Sequence, residues 1–171
     1  MGQRIGTGWL GGAMAVGVLA AALLAGCDRH KIERLEEGVA SEADVRRQFG
    51  EPAATYREAD GSTTLEYVRQ PEGQQNYMIT IGPDGRMSAL RQVLKSADFA
   101  KVTAGLDKTQ VRRTLGKPAA TRFFELKRQE VWDWRYGEAS ENRIFSVTFD
   151  ADGRVLSTGS TLDLRGVVPG G

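Results

Sequence analysis

The sequence predicts an α+β protein made of two tandem α-α-β-β-β-β units, each an antiparallel sheet with its helices on one face. Two segments that occur twice carry this prediction. Residues 45–55, VRRQFGEPAAT, return at 111–121 as VRRTLGKPAAT, with eight of the eleven positions identical. Residues 78–87, MITIGPDGRM, return at 146–155 as SVTFDADGRV. The two offsets, 66 and 68 residues, are nearly equal, and self-similarity at a fixed spacing indicates a duplicated supersecondary unit.

The segment before the repeats is typical of a targeting sequence. Among residues 1–26 only Arg4 is charged, and a run rich in glycine and alanine extends from Trp9 to Ala25. A basic start, a short apolar run and small residues before a cleavage site are the marks of a secretory signal peptide. We therefore expect residues 1–26 to be removed. The alternative is an uncleaved transmembrane helix, which needs about 20 apolar residues.

The cysteine at the end of this segment, Cys27, is the only one in the chain, and it follows Leu24-Ala25-Gly26. This small-small-Cys ending resembles the lipobox of bacterial lipoproteins, in which the cysteine becomes the acylated N-terminus. We predict cleavage between Gly26 and Cys27, lipidation of Cys27 and a short tether at 27–30. Stable anchoring takes more than one acyl chain, which a multiply acylated cysteine supplies.

The charge balance excludes one class of partner. After removal of the signal peptide with Arg4, the chain has 22 basic and 22 acidic residues. A neutral chain has no strong field for nucleic acid, so we expect no nucleic-acid partner. With Cys27 lipidated, no thiol is left for a disulfide, and the fold must depend on burial.

Two short helices open the first unit, residues 31–95. Residues 31–37 place Ile32 and Leu35 on one face. Ser41 is expected to cap the second helix, since serine is a favoured N-cap and acidic residues follow it. The apolar residues of this second helix are spaced i, i+4 and its end is a glycine, namely Val45, Phe49 and Gly50.

The second unit, residues 96–164, repeats this pattern. Ser96 is expected to cap a helix that carries Phe99 and Val102. Asp107 with Gln110 three residues later predicts a capping box for the next helix. The inward residues of that helix and its terminal glycine are Val111, Leu115 and Gly116.

Four strands follow the helices in each unit. Asp-Gly pairs at 60–61, 84–85 and 152–153 indicate hairpin turns. The expected strands around these turns are 55–58, 63–69, 77–81, 86–94, 143–150 and 154–161. The tail, 165–171, has no periodic pattern and is expected to be disordered.

Residues alternate between apolar and polar along the last strands, which predicts sheets covered on one face only. In 131–136 the apolar face carries Trp132, Trp134 and Tyr136. We expect these rings to lie in the core under the helices; the alternative is an interface hot spot, because tryptophan often anchors recognition. The face expected to meet solvent carries Asp133, Arg135, Ser146 and Thr148.

Several motifs of the second unit resemble the BamE (SmpA/OmlA) lipoprotein family. Residues 105–118, GLDKTQVRRTLGKP, are similar to the family pattern Gly-Met-Thr-x-x-Gln-Val-x-x-x-Leu-Gly-x-Pro. An aromatic strand, WDWRY at 132–136, and FDADGRV at 149–155 match two later elements. The resemblance implies an envelope lipoprotein, and BamE itself serves in the machine that inserts β-barrels into the outer membrane. The tandem form is similar in fold to β-lactamase-inhibitor proteins, whose curved sheet grips a partner.

Two functions compete on these grounds. The first is a membrane-tethered, periplasm-facing module that binds envelope proteins of unknown identity during outer-membrane protein assembly. The partner-binding residues predicted for it are Asp133, Arg135 and Thr148 on the open sheet face and Arg112 and Arg113 on a helix. The alternative is an inhibitor or regulator of an envelope enzyme, acting through this face or through the loops at 58–61 and 137–140.

An enzyme is not expected. His30 is the only histidine and lies in the predicted tether, and no phosphate loop, nucleophile elbow or metal cluster occurs. We therefore predict no catalytic, cofactor-binding or metal-binding residues. The expected location is the bacterial cell envelope, and the sequence favours the outer membrane. The inner membrane is the alternative location, because Asp28 follows Cys27. In some enteric bacteria this arrangement favours retention in the inner membrane.

Overall fold

The computed structural model describes residues 30–165. The predicted signal peptide, the lipidation site Cys27 and residues 166–171 of the tail lie outside the described residues. Residues 30–35 belong to an N-terminal unit, where 30–32 are helical and a turn follows. Residues 36–165 belong to a second compact unit. No helix within 30–165 has the length and apolar character to cross a bilayer.

Residues 36–165 contain helices and strands in the predicted order. The elements are α1 (Glu42–Phe49), β1 (Ala54–Arg57), β2 (Thr63–Val68), β3 (Asn76–Ile81), β4 (Met87–Gln92), α2 (Ser96–Phe99), α3 (Lys108–Leu115), β5 (Ala120–Phe124), a 3-10 turn (Glu125–Lys127), β6 (Gln129–Glu138), β7 (Glu141–Phe149) and β8 (Val155–Leu162).

The strands form two antiparallel sheets of four, ordered β1-β2-β3-β4 and β5-β6-β7-β8. This confirms the predicted α+β fold with two antiparallel sheets. The two sheets share a fine detail, because each has a register shift at one point, between Thr80 and Ile81 and between Thr148 and Phe149. These positions are 68 residues apart, the offset of the sequence echo. The predicted boundaries of the two units, 31–95 and 96–164, stay a prediction.

The two long helices end as the sequence predicts. Each begins with a capping box, in which Ser41 Oγ accepts from the Asp44 N–H and Asp107 Oδ1 accepts from the Gln110 N–H. Each ends at a glycine with positive φ, Gly50 or Gly116. The capping boxes satisfy N–H groups that a helix leaves without partners at its start.

Two expectations about the shorter helices were wrong. Lys95, not Ser96, is the N-cap of α2, which ends at Phe99 before Val102; the Ser96 hydroxyl donates to Glu138 Oε1 instead. Residues 31–37 do not form a full helix. Residues 38–40 run along β4, where the Gly38 N–H donates to the Met87 carbonyl. Pairing with a strand therefore occupies backbone groups just where a longer helix would continue.

The first sheet is covered on both faces, contrary to the prediction of one bare face. On one face, the Phe49 ring of α1 lies 5.2 Å from Tyr67 and 5.4 Å from Tyr77. The opposite face carries three fully buried residues, Glu66, Asn76 and Met78. The Asn76 amide donates to the Leu115 carbonyl over 2.8 Å, so the end of α3 lies against this face.

The second sheet buries its aromatic face against α2 and α3, as predicted. Trp134 is fully buried, Trp132 partly buried, and both pack in one cluster with Val111 and Leu115. The Trp134 Nε1–H donates to the Gly116 carbonyl over 2.9 Å. These rings are therefore core residues, and the alternative of an exposed hot spot does not apply to Trp134.

Candidate protein-binding surface

Within residues 36–165, the helices that cover the second sheet pack on its aromatic face, and we call the opposite face the open face. The strand alternation and register place on it one set of side chains from each of three neighbouring strands. They are Val131, Asp133 and Arg135 of β6, Ile144, Ser146 and Thr148 of β7, and Ser157 and Thr161 of β8. Predicted binding residues Asp133, Arg135 and Thr148 thus lie together. Thr148 and Ser146 are half-buried, whereas Ser157 and Thr161 are exposed.

Asp133 lies deeper in this face than the sequence suggests. Only 7% of the residue is exposed, since two neighbours cover its carboxylate. Arg122 Nη2 donates to Asp133 Oδ2 over 2.7 Å, and Ser146 Oγ donates to Asp133 Oδ1 over 2.6 Å. Asp133 therefore positions Arg122. The Arg122 side chain is 60% exposed, so solvent or a partner can reach its guanidinium.

Arg135 takes part in a second polar cluster on this face. Its Nε donates to Asp163 Oδ2 over 2.8 Å, and Arg165 also donates to the same carboxylate. Hydrogen bonds from Arg165 and Arg135 to the charged form lower the pKa of Asp163 to about 2. The carboxylate therefore stays ionised, and it fixes the orientation of both guanidinium groups.

A loop of the first repeat closes the edge of β6 beside Arg135. β5 begins at Ala120, opposite Asp133, so the part of β6 after Asp133 has no strand on that side. The Gln70 amide fills this position: its Nε2 donates to the Arg135 carbonyl over 2.8 Å, and its Oε1 accepts from the Arg135 N–H over 3.2 Å. The Arg135 Nη1 donates to the Pro71 carbonyl as well.

Arg112 and Arg113, the other predicted binding residues, lie at the junction between the repeats. Arg112 Nε donates to Glu66 Oε2 over 3.2 Å, and Arg113 pairs with Glu58. The Tyr56 hydroxyl donates to Glu66 over 2.5 Å. Burial, with this hydrogen bond second, raises the pKa of Tyr56 to about 12. Both arginines have internal partners, and their predicted role in binding stays a prediction.

The two loops proposed for an inhibitor differ in how they are used. In 58–61 the Glu58 carboxylate pairs with Arg113, so one acidic anchor is already engaged. In 137–140, Ala139 and Ser140 are exposed with positive φ. No cluster of three metal-binding side chains occurs among residues 30–165.

Sequence reasoning missed an apolar tip on the β5–β6 hairpin. Phe123, Phe124 and Leu126 are large and exposed, and Leu126 is fully so. One signal for it was available: two adjacent aromatic residues on a strand point to opposite faces, so one of them must leave the core. This tip adds an apolar contact point at the margin of the sheet.

The fold and the open face together define a duplicated α+β module with a polar sheet surface held in place by internal ion pairs. Residues 92–159 match the family model of the outer membrane protein assembly factor BamE domain. The resemblance found in the sequence is thereby confirmed for the second repeat. No curated protein sequence matches the chain.

Three solved structures are similar. The first is a putative osmotically inducible lipoprotein OsmE: identity 22%, coverage 41% of this chain and 75% of that one, TM-score 0.36. The second is the DUF4309 family protein YjgB of Bacillus subtilis: identity 14%, coverage 84% and 97%, TM-score 0.31. The third is a putative β-lactamase inhibitor protein of Streptococcus mutans: identity 12%, coverage 80% and 97%, TM-score 0.31. At such low TM-scores and identities, no argument about function follows from them.

Proposed function

We propose that this protein is a lipid-anchored, periplasm-facing module that binds protein partners in assembly of the outer membrane. The match of residues 92–159 to the BamE assembly-factor domain carries the proposal. The lipobox-like segment ending at Cys27 supports the anchor, and the open face supplies a surface on the matched domain.

The open face suits a protein partner for a physical reason. Arg122 and Arg135 are held by Asp133 and Asp163, so less side-chain entropy is lost when a partner binds them. The face mixes hydroxyl groups with half-buried Val131 and Ile144, which resembles the polar and apolar mixture of non-obligate interfaces.

Site-specific photo-cross-linking in cells tests the surface. A photoreactive amino acid at Thr148, on the open face, should give adducts with defined envelope proteins. The matched control is Thr55, an exposed threonine of β1, and it should give few. Equal adducts from both positions would contradict the proposed surface. Recovery of an envelope hydrolase as the main adduct would favour the inhibitor function instead.

The anchor is tested separately at Cys27. Mass spectrometry of the purified protein should find an acylated N-terminal cysteine and no residues 1–26. The change Cys27→Ser should release the protein from the membrane fraction, because stable attachment needs the acyl chains. Separation of inner and outer membranes, repeated with Asp28→Ser, then decides the membrane. An unacylated protein that stays in the membrane would contradict the tether but leave the sheet surface standing.

A further inference from the structure

Within the described residues, β8 is the edge strand of the second sheet and lacks the usual protection of an edge. It has eight residues, Val155–Leu162, with no charged residue and no proline. All of them except Val155 are exposed. Natural sheets commonly protect an exposed edge with charges, proline or a covering segment, because its backbone groups can pair with another chain.

The equivalent edge of the first sheet has such protection. Beside β4, the Glu37 carboxylate accepts from the Leu90 N–H over 3.2 Å, and the Gly38 N–H donates to the Met87 carbonyl. Along β8, the corresponding backbone pairing reaches Val155 alone, from Gly105 and Leu106. In the described part of the chain, no side chain is placed on the later N–H groups of β8 as Glu37 is placed on Leu90.

The direction of the free backbone groups follows from one hydrogen bond. The Asp163 N–H donates inward to the Asn142 carbonyl of β7 over 2.8 Å. Since the direction alternates along an antiparallel strand, the backbone groups of 157, 159 and 161 also face β7. Those of Thr158, Ser160 and Leu162 therefore point away from the sheet.

The exposed part of β8 is nearly palindromic. Residues 156–162 are Leu-Ser-Thr-Gly-Ser-Thr-Leu, which has the same pattern of leucine, hydroxyl and glycine in both directions about Gly159. A two-fold interface brings the same patch of both subunits together. Two copies of an edge strand that pair about a two-fold axis therefore run antiparallel. A segment that is the same in both directions matches itself in this arrangement.

We propose that β8 pairs with β8 of a second copy of this chain, about a two-fold axis through Gly159. Thr158 then lies opposite Ser160 of the second copy, and both present outward backbone groups that exchange two hydrogen bonds. Gly159 faces its own counterpart as a non-hydrogen-bonded pair, and Ser157 faces Thr161. No charge meets another charge, and hydroxyl-bearing pairs across strands are favourable. The result is one continuous sheet of eight strands.

Cysteine cross-linking tests the register. Paired Cα atoms at a non-hydrogen-bonded position lie about 4.5 Å apart, within the range a disulfide spans. A Cβ added at Gly159 meets nothing within 4 Å, so Gly159→Cys should fold. Oxidised full-length protein in detergent should give about tenfold more disulfide dimer with Gly159→Cys than with Ser157→Cys or Thr161→Cys alone. The unsubstituted chain, whose only cysteine is the proposed lipidation site, gives the baseline and should form no disulfide dimer.

Mixing the two control variants sharpens the test. Ser157→Cys and Thr161→Cys chains should cross-link with each other, because these positions face one another in the proposed register. Equal yields from all three positions, or none from Gly159→Cys, would overturn the proposal.

Sedimentation of the full chain in detergent tests the dimer without cysteines. Ser157→Lys with Thr161→Lys places like charges opposite each other at both pairs and should convert the dimer to monomer. The control, Ala120→Lys with Thr121→Lys, adds the same charge to exposed β5 and should leave the dimer intact. A wild-type chain that sediments as a monomer at every concentration would overturn the proposal, and the proposed partner-binding function would be unaffected.

Discussion

Glu66 of β2 and Arg112 of α3 form an ion pair that joins the two repeats. Glu66 is fully buried, whereas 37% of the Arg112 side chain is exposed. The same carboxylate accepts from the Lys117 N–H over 2.8 Å and from the Tyr56 hydroxyl. A buried charge is tolerated only when it is paired and hydrogen-bonded, and here three groups from both repeats provide the partners.

The change Glu66→Gln should therefore destabilise the protein. It keeps the size of the side chain but removes the charge that Arg112 and Lys117 satisfy. Hydrogen bonds to charged groups are worth about 1.5–3 kcal/mol, and the exposure of Arg112 favours the lower end. Urea unfolding measures the loss. The control is Glu42→Gln, which removes a more exposed pair with Arg46 and should cost less than about 1 kcal/mol. Equal costs would contradict a special role for the junction.

The two helix-ending glycines offer a second matched comparison. Both Gly50 and Gly116 have positive φ, so Gly50→Ala should cost about 1–3 kcal/mol through backbone strain alone. A Cβ at Gly116 would also lie 2.9 Å from Asn76 Nδ2, whereas Gly50 has open space. Gly116→Ala should cost about 1 kcal/mol more, since Asn76 would lose its hydrogen bonds to Leu115 and Lys117. Thermal unfolding of both variants measures the difference. A smaller cost at Gly116 would contradict the close packing.

Asp163 should make the stability depend on pH in acid. Its pKa is lowered in the folded protein to about 2, chiefly by Arg165, against about 3.9 in an unfolded chain. A depressed pKa stabilises the fold above the unfolded value, and this stabilisation is lost as the pH falls through 4 toward 2. The free energy of unfolding of the wild type should exceed that of Asp163→Asn by about 2 kcal/mol at neutral pH. This difference should shrink as the pH falls from 4 to 2.

Urea unfolding at a series of pH values measures this difference. Asp152→Asn, in the exposed β7–β8 turn, is the control and should differ little from wild type throughout. If the difference in free energy of unfolding between wild type and Asp163→Asn stays constant from neutral pH to pH 2, Asp163 contributes by packing and not by charge.

Two buried tyrosines should respond oppositely to loss of the hydroxyl. The Tyr67 hydroxyl is buried and has no hydrogen-bond partner among residues 30–165, and burial raises its pKa. Tyr67→Phe should therefore be neutral or stabilising by up to about 1 kcal/mol. The Tyr136 hydroxyl bonds with Ser160 and Arg143, so Tyr136→Phe should cost about 1 kcal/mol. Chemical unfolding of both variants checks the signs, and a destabilised Tyr67→Phe would reveal a partner for its hydroxyl.

Local sequence patterns predicted the parts of the fold that depend on local chemistry. The caps at Ser41 and Asp107 follow from side-chain oxygens that reach the first helical N–H groups. The strand pairs around the Asp-Gly turns, and the burial of Trp134, follow from period-two alternation. The open face of the second sheet followed from the same alternation, and it is where Asp133, Arg135 and Thr148 meet.

Contacts between distant segments were beyond such patterns. Glu66 alternates with Leu65 and Tyr67 as a residue facing solvent would, so nothing local shows that α3 covers it. Likewise, Gln70 reaches Arg135 across 65 positions of sequence. Exposed β8 could be seen as a strand but not as an edge, because sheet order depends on how whole units pack.

The two repeats depend on each other unequally. The first supplies Gln70 and Pro71 to the edge of β6, whereas the second covers fully buried side chains of the first. The aromatic cluster of the second repeat, from Leu94 to Val155, is built from its own residues and those just before it. The first repeat takes a cover, at Glu66 and Asn76, from the end of α3. A C-terminal fragment should therefore be expressed as an independent folded domain. The N-terminal fragment should aggregate or be degraded, since its buried carboxylate and amide would lie bare on a sheet.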